Sequence, residues 1–265
     1  MRLMTISFAV LFACCSLTAA AQGIIITSRV TRDDGASTTT TSYISEDHAR
    51  WSSGEGEVIV DARAGQMTTL DNKKKTYYVT TRQDMDAAAA KMQEQMNSPE
   101  MKKAQESMKN LPPEQRKQME AAMGSMFSFD VQKVGTSRKI AGYNCDDWTV
   151  TMGKMSRTEE CITNEVKFPV QAWDMYRSFS DSIKTLMTSM GPMGANMEKM
   201  QEQFKKMKGF PLASKTTVNI MGRKSVTSTE VTDIKNGPIP ASAWDIPAGF
   251  TKVDNPMKKM LTRGR

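Results

Sequence analysis

Thioether sulfur is the chemistry this sequence supplies most freely. Of 23 methionines, eight fall between Met85 and Met126 and seven between Met175 and Met207. Thioethers are soft donors that suit Cu(I) or Ag(I). Met187, Met190, Met193, Met197 and Met200 are spaced to gather three sulfurs around such an ion. Sites of that kind are often completed by histidine or cysteine, and neither lies nearby in the sequence. Methionine has a second use: it is unbranched and polarizable, so it fits irregular apolar surface or lines a forgiving groove. The spacing favours this use. Met193, Met197, Met200, Phe204 and Met207 step by four, three, four and three, which is a heptad seam. Met85, Met92 and Met96 share one helical face, as do Met119, Met123 and Met126. The expected lining of an apolar cavity is therefore Met85, Met92, Met96, Met119 and Met123 on one side. Met193, Met197, Met200, Phe204 and Met207 supply the other. Exposed methionines can also serve as a reversible oxidant sink.

Catalytic residue sets are missing from the sequence. The one histidine, His48, follows Glu46-Asp47 beside a turn and reads as an exposed strand residue. No nucleophile elbow, cysteine–histidine pair or His-Glu-x-x-His is present. Gly222-Arg223-Lys224-Ser225 resembles the end of a phosphate loop but lacks the earlier glycine and falls at a hairpin turn. Asp146-Asp147 and Glu159-Glu160 lie on opposite arms of a predicted hairpin and read as a solvated edge. The expectation is a non-enzymatic protein without a cofactor.

The first 21 residues read as a signal peptide: Met1-Arg2, an apolar stretch from Leu3 to Ala13, and Ala19-Ala20-Ala21 ahead of Gln22. A lipoprotein signal at Cys14 is the rival reading, disfavoured by bulky Phe12. Cleavage points to a periplasmic or secreted protein. It leaves two cysteines, Cys145 and Cys161, and an even pair in an exported protein implies a disulfide. A hairpin folded symmetrically about Gly153 would set the two directly opposite each other. Without Arg2 the chain has 35 basic and 29 acidic residues, a modest excess without the basic, aromatic-interleaved face of a nucleic-acid binder. Residues 254–265 read as a disordered basic tail, with Lys258, Lys259, Arg263 and Arg265 available for transient contact with an anionic membrane surface.

Short segments rich in Thr, Val, Ile and Tyr, separated by turns such as Asp33-Asp34-Gly35 and Ala64-Gly65, predict an antiparallel meander from Gly23 to about Thr81. A helical insertion follows at 82–126, broken at Ser98-Pro99 and at Leu111-Pro112-Pro113. Strands resume at Phe127, and a second helical insertion spans 170–208. Strands at Pro211 to Ile220 and Val226 to Ile234 complete the set, with Trp244, Ile246 and Phe250 as a closing anchor. A hydrophobic content of 39% predicts a thin core. The fold class expected is α+β: one domain over 22–253, a curved antiparallel sheet lidded by two methionine-rich insertions.

Several of these segments also carry a likeness. Tyr43-Ile44, Arg50, Val58-Ile59-Val60-Asp61, Met67 to Asp71, Lys75 to Tyr78, Gly135 and Ile140 to Cys145 resemble an exported bacterial family catalogued as a domain of unknown function. Ala243 to Phe250 is similar to its closing motif. The resemblance implies a fold like that of the periplasmic lipoprotein carriers, a half-open antiparallel barrel whose helices lid an apolar cavity for acyl chains. The partner expected for a methionine-bordered cavity is a lipid, an acyl chain or an apolar protein segment. The chain departs from that pattern in its methionine-rich insertions and in Cys161.

Overall fold

The computed structural model describes residues 21–53, 56–118, 128–168, 202–203, 205–220 and 222–258. Turn chemistry sets the strand boundaries. Gly35 and Gly65 adopt positive φ at the tips of two hairpins. The Asp71 carboxylate accepts from the Lys73 and Lys74 amides and closes a third. Ala141 and Gly142, both at positive φ, form the two-residue link between Ile140 and Tyr143. The strands are β1 (Ala21–Arg32), β2 (Ser37–Ser45), β3 (His48–Ser53), β4 (Gly56–Asp61), β5 (Gln66–Asp71) and β6 (Thr76–Thr81). Helices α1 (Arg82–Met96) and α2 (Pro99–Lys109) follow, and residues 113–118 are again helical. The chain then forms β7 (Phe129–Ile140), β8 (Tyr143–Met152), β9 (Ser156–Thr163), β10 (Phe210–Ile220), β11 (Arg223–Ile239) and β12 (Thr251–Lys252).

All twelve strands of the described residues belong to one sheet, in the order β12-β6-β5-β4-β3-β2-β1-β11-β10-β9-β8-β7. Two meanders are thereby joined, β1 to β6 and β7 to β11, by the pairing of β1 with β11. Neighbours are antiparallel except β12, which runs parallel to β6. The outer strands β7 and β12 do not meet, so the sheet is large, curved and unclosed, consistent with the half-open barrel. β11 outruns the predicted end at Ile234 and continues through Gly237-Pro238 to Ile239. Proline is tolerated there because β10 pairs with β11 only between Glu230 and Arg223, leaving residues 231–239 without a strand partner on that edge among the described residues.

One face of the first meander carries a row in register: Ile24, Ile44, Ala49, Val60, Met67 and Thr80. Ile24 and Ile26 extend it to a core cluster with Ile140, Cys145, Cys161, Leu212, Ala213 and Val231. Phe168 and Phe210 stack at 4.9 Å between centroids and pack against that cluster. Gly23 sits where Ile44 and Ile239 leave no space for a Cβ.

Cys145 and Cys161 form a disulfide with Cα atoms 5.3 Å apart. The register differs from direct opposition. Met152 pairs with Ser156 and Asp147 with Cys161, so the turn centres on Lys154, one residue beyond Gly153. The bridge is therefore diagonal. An offset of two residues preserves the face, and both cysteines remain buried, at 3% and 0% exposure. Closing a loop of this length contributes about 3 kcal/mol. Replacing both cysteines by alanine is expected to lower unfolding stability by about that amount. Urea titration with and without reductant checks it; a midpoint insensitive to reductant would contradict the bridge.

Candidate functional site

The methionine lining is only partly within the described residues. Met85 lies in the first turn of α1 and is half-buried. Met207 is half-buried just before β10. Met92 and Met96 lie further along α1. Met119, Met123, Met187, Met190, Met193, Met197, Met200 and Phe204 lie outside the described residues, as do all but the last few positions of the 170–208 insertion. The break at Ser98-Pro99 is present, with the Ser98 hydroxyl accepting from the Met101 amide. A capping box not recognised in the sequence starts α1. Thr81 Oγ1 accepts from the Asp84 amide at 3.1 Å, and Asp84 accepts from the Thr81 amide at 3.0 Å.

A groove of about 630 Å³ opens where β2 and β3 diverge. Nine of its fourteen lining residues are serine or threonine, on β1, β2, β3 and β11. Arg32, Glu57, Asn72 and Lys73 add charge and amide groups, and Val30 is the sole aliphatic side chain. The groove mixes hydroxyls with threonine methyls and no methionine lines it, so it is not the apolar cavity that the methionine stripes imply. Its only trace in the sequence is the run Ser37-Thr38-Thr39-Thr40-Thr41-Ser42.

Beside it, the segment after β11 straps the first meander. A short 3-10 turn, Ala241–Trp244, sets Trp244 against the rings of Tyr43 and His48, at 6.4 and 5.2 Å. Arg50, 12% exposed, donates to the Ala243 and Asp245 carbonyls at 2.9 and 3.1 Å and pairs with Glu57 at 2.6 Å. Lys75 lies over the Phe250 ring at 5.1 Å. Ile246 departs from the anchor role, being 36% exposed. The strap reaches past Val253: Asn255 is buried and donates to Thr80 Oγ1 and the Val79 carbonyl. Lys258 then pairs with Asp84 at 3.2 Å.

His48 is half-buried rather than exposed on its strand. Its Nδ1 lies 2.8 Å from Asp47 and its Nε2 3.7 Å from Asp61. Asp47 also pairs with Arg63 at 2.6 Å. The hydrogen bond with His48, foremost, and the nearby Arg63 guanidinium hold the Asp47 carboxyl below its ordinary range. A histidine held between aspartates is a triad fragment, but no hydroxyl or thiol nucleophile is bonded to its other face among the described residues. Asp146, Asp147 and Glu159 are each tied to neighbouring Lys or Arg side chains, as a solvated edge requires. Glu160 is the exception, half-buried with its carboxyl pushed up by burial. Among the described residues, no cluster of three His, Cys, Asp or Glu is arranged to hold a metal.

The chain belongs to the family described as Domain of unknown function (DUF4412), whose model matches residues 33–250. No curated protein sequence matches it. Solved structures give partial likenesses. PNGF-II is similar at a TM-score of 0.39 and 10% identity, over 91% of this chain and 33% of PNGF-II. The MucA/MucB complex of Pseudomonas aeruginosa gives 0.35 and 14%, over 86% and 56%. A LolA-superfamily protein from Nitrosomonas europaea gives 0.20 and 7%, over 86% and 91%. The chain spans a third of the length of PNGF-II and just over half of the MucB chain it matches.

Two outcomes test the strap. Arg50→Met strands Glu57 and two carbonyls and is expected to cost about 2–3 kcal/mol; an unchanged urea midpoint would show that Arg50 does not anchor the strap. Acidification should act at Asp84. The Thr81 amide, foremost, holds its carboxyl below the ordinary 3.8. Its contribution is thus full above the unfolded value and is lost as pH falls through the lower folded value. Asp84→Asn should flatten that acid limb of stability, read by thermal melts from pH 6 to 2.

Proposed function

We propose that the chain is a non-enzymatic, exported binding module that takes a lipid, an acyl chain or an apolar protein segment between its sheet and the methionine-rich helices. The carrying observation is the unclosed curved sheet, whose apolar face must be covered by something other than its own strands. Helix α1 leaves the sheet at Thr81 with Met85, Met92 and Met96 in its sequence, and in this reading it begins that cover. Methionine suits a lining that adapts to ligands of varied shape. In this reading the signal-like leader would direct the module to the periplasm or outside the cell, where Lys259, Arg263 and Arg265 would offer a contact for anionic membrane. The family match to an uncharacterised domain is compatible with this reading and names no ligand.

The test is a fluorescent fatty-acid displacement assay on gently purified protein, with extraction and mass spectrometry of what co-purifies. Saturable displacement, weakened at least severalfold by Met85→Gln with Met207→Gln, is expected. No bound lipid and no saturable displacement would remove the proposal.

A further inference from the structure

We propose that the open edge of β2 accepts an extended polypeptide strand, laid into the hydroxyl-lined groove beside it. β2 pairs with β1 along its whole length, from Gly23 opposite Ser45 to Thr31 opposite Ser37. On its other side it pairs with β3 only at Tyr43–Arg50 and Ile44–Ala49. Ser37 to Ser42 thus have no strand partner on that side among the described residues. Successive residues send their N–H and C=O groups to opposite edges, so about half of these groups face the gap.

This edge lacks the devices that normally blunt one. Ser37 to Ser42 contain no proline and no charge, and the β1–β2 register is unbroken there. Threonine favours the extended conformation throughout. On the far wall Glu57 is tied to Arg50 at 2.6 Å and to Asn72 at 3.4 Å. The groove volume, about 630 Å³, falls within the range of true ligand sites and admits a few extended residues.

The edge selects the occupant. Backbone donors and acceptors repeating at strand spacing are matched along their length by another polypeptide backbone. A sugar chain has no such repeat, and an acyl chain would leave the hydroxyls and backbone groups unsatisfied. Thr38, Thr40 and Ser42 on one face and Thr39 and Thr41 on the other all line the groove, so small polar side chains of the guest fit beside them. This site goes beyond the apolar cavity proposed above and does not depend on it.

The test pans a random nonapeptide display library against the purified full-length chain and remeasures the best peptide in synthetic form by fluorescence anisotropy. N-methylation of every second backbone amide of the peptide should weaken binding about tenfold or more, with the intervening positions tolerant. Thr39→Lys and Thr40→Pro should weaken it similarly, while fatty-acid displacement is unchanged. The methylation scan uses the unaltered protein, so it decides the matter even where the proline variant does not fold. Failure to enrich any peptide, indifference to N-methylation, or full binding to Thr39→Lys would each overturn the proposal. A lost fatty-acid response beside intact peptide binding would instead remove only the cavity.

Discussion

The pairing of β1 with β11 is the constraint on which the rest of this molecule depends. Each meander is local and needs only hairpin turns. Their union brings Ala21 opposite Ile239, some two hundred residues away, and the pairing continues, through a one-residue shift between Thr27 and Ser28, down to Arg32 opposite Thr227. Loop closure over such a span is entropically costly and is offset only once the buried face forms. That face straddles the junction. Ile24 and Ile26 come from β1, Val231 from β11, and the disulfide from the second meander, yet they form one cluster. Separated, the meanders would each expose a long apolar face and an additional unpaired edge.

The same junction determines where the chain goes next. β11 ends at the middle of the sheet, and the residues that follow must cross to its β6 edge. They do so over the first meander, and each step of the crossing has a polar or aromatic attachment: Arg50, then Lys75, then Asn255. Only Asn255 among these is fully buried, and its amide is satisfied by Thr80 and Val79. The strap therefore works as a set of hydrogen-bonded points along an edge, with β12 shielding β6 from strangers over two residues.

Strand positions were largely legible in the residues because turn chemistry punctuates them. Asp33-Asp34-Gly35 and Ala64-Gly65 bound strands whose limits fall close to expectation, whereas the two-residue link at Ala141-Gly142 that ends β7 was not foreseen. Capping by Ser98 was equally readable. What stayed hidden depends on tertiary neighbours. The lengthening of β11 through Pro238 is possible only because β10 stops short. The hairpin register moved by one turn residue, and the disulfide survived because a two-residue offset leaves side chains on the same face. His48 read as exposed because its companion Trp244 is brought over it from the far end of the chain. The methionine stripes were the most audible pattern, yet of the ten lining candidates only Met85 and Met207 have described side chains. The polar groove, by contrast, is a property of pairing lost between two strands, and no single-strand pattern encodes it.

That loss of pairing follows from strand length. β1 and β11 have 12 and 17 residues, and β2, carried along by β1, has nine. β3 to β6 have six each. A long strand twisting with its long partner cannot stay beside a short hairpin that follows the strap and the β6 edge. β2 therefore sides with β1, and the sheet parts between β2 and β3, which pair only at Tyr43–Arg50 and Ile44–Ala49. The hydroxyls of Thr38 to Ser42 are what make this parting tolerable. An aliphatic run at the same positions would expose a flat apolar edge and invite aggregation, whereas threonine keeps the strand extended while hydrating the opened face. The composition that thins the core is thus the composition that lets the sheet stand open in water.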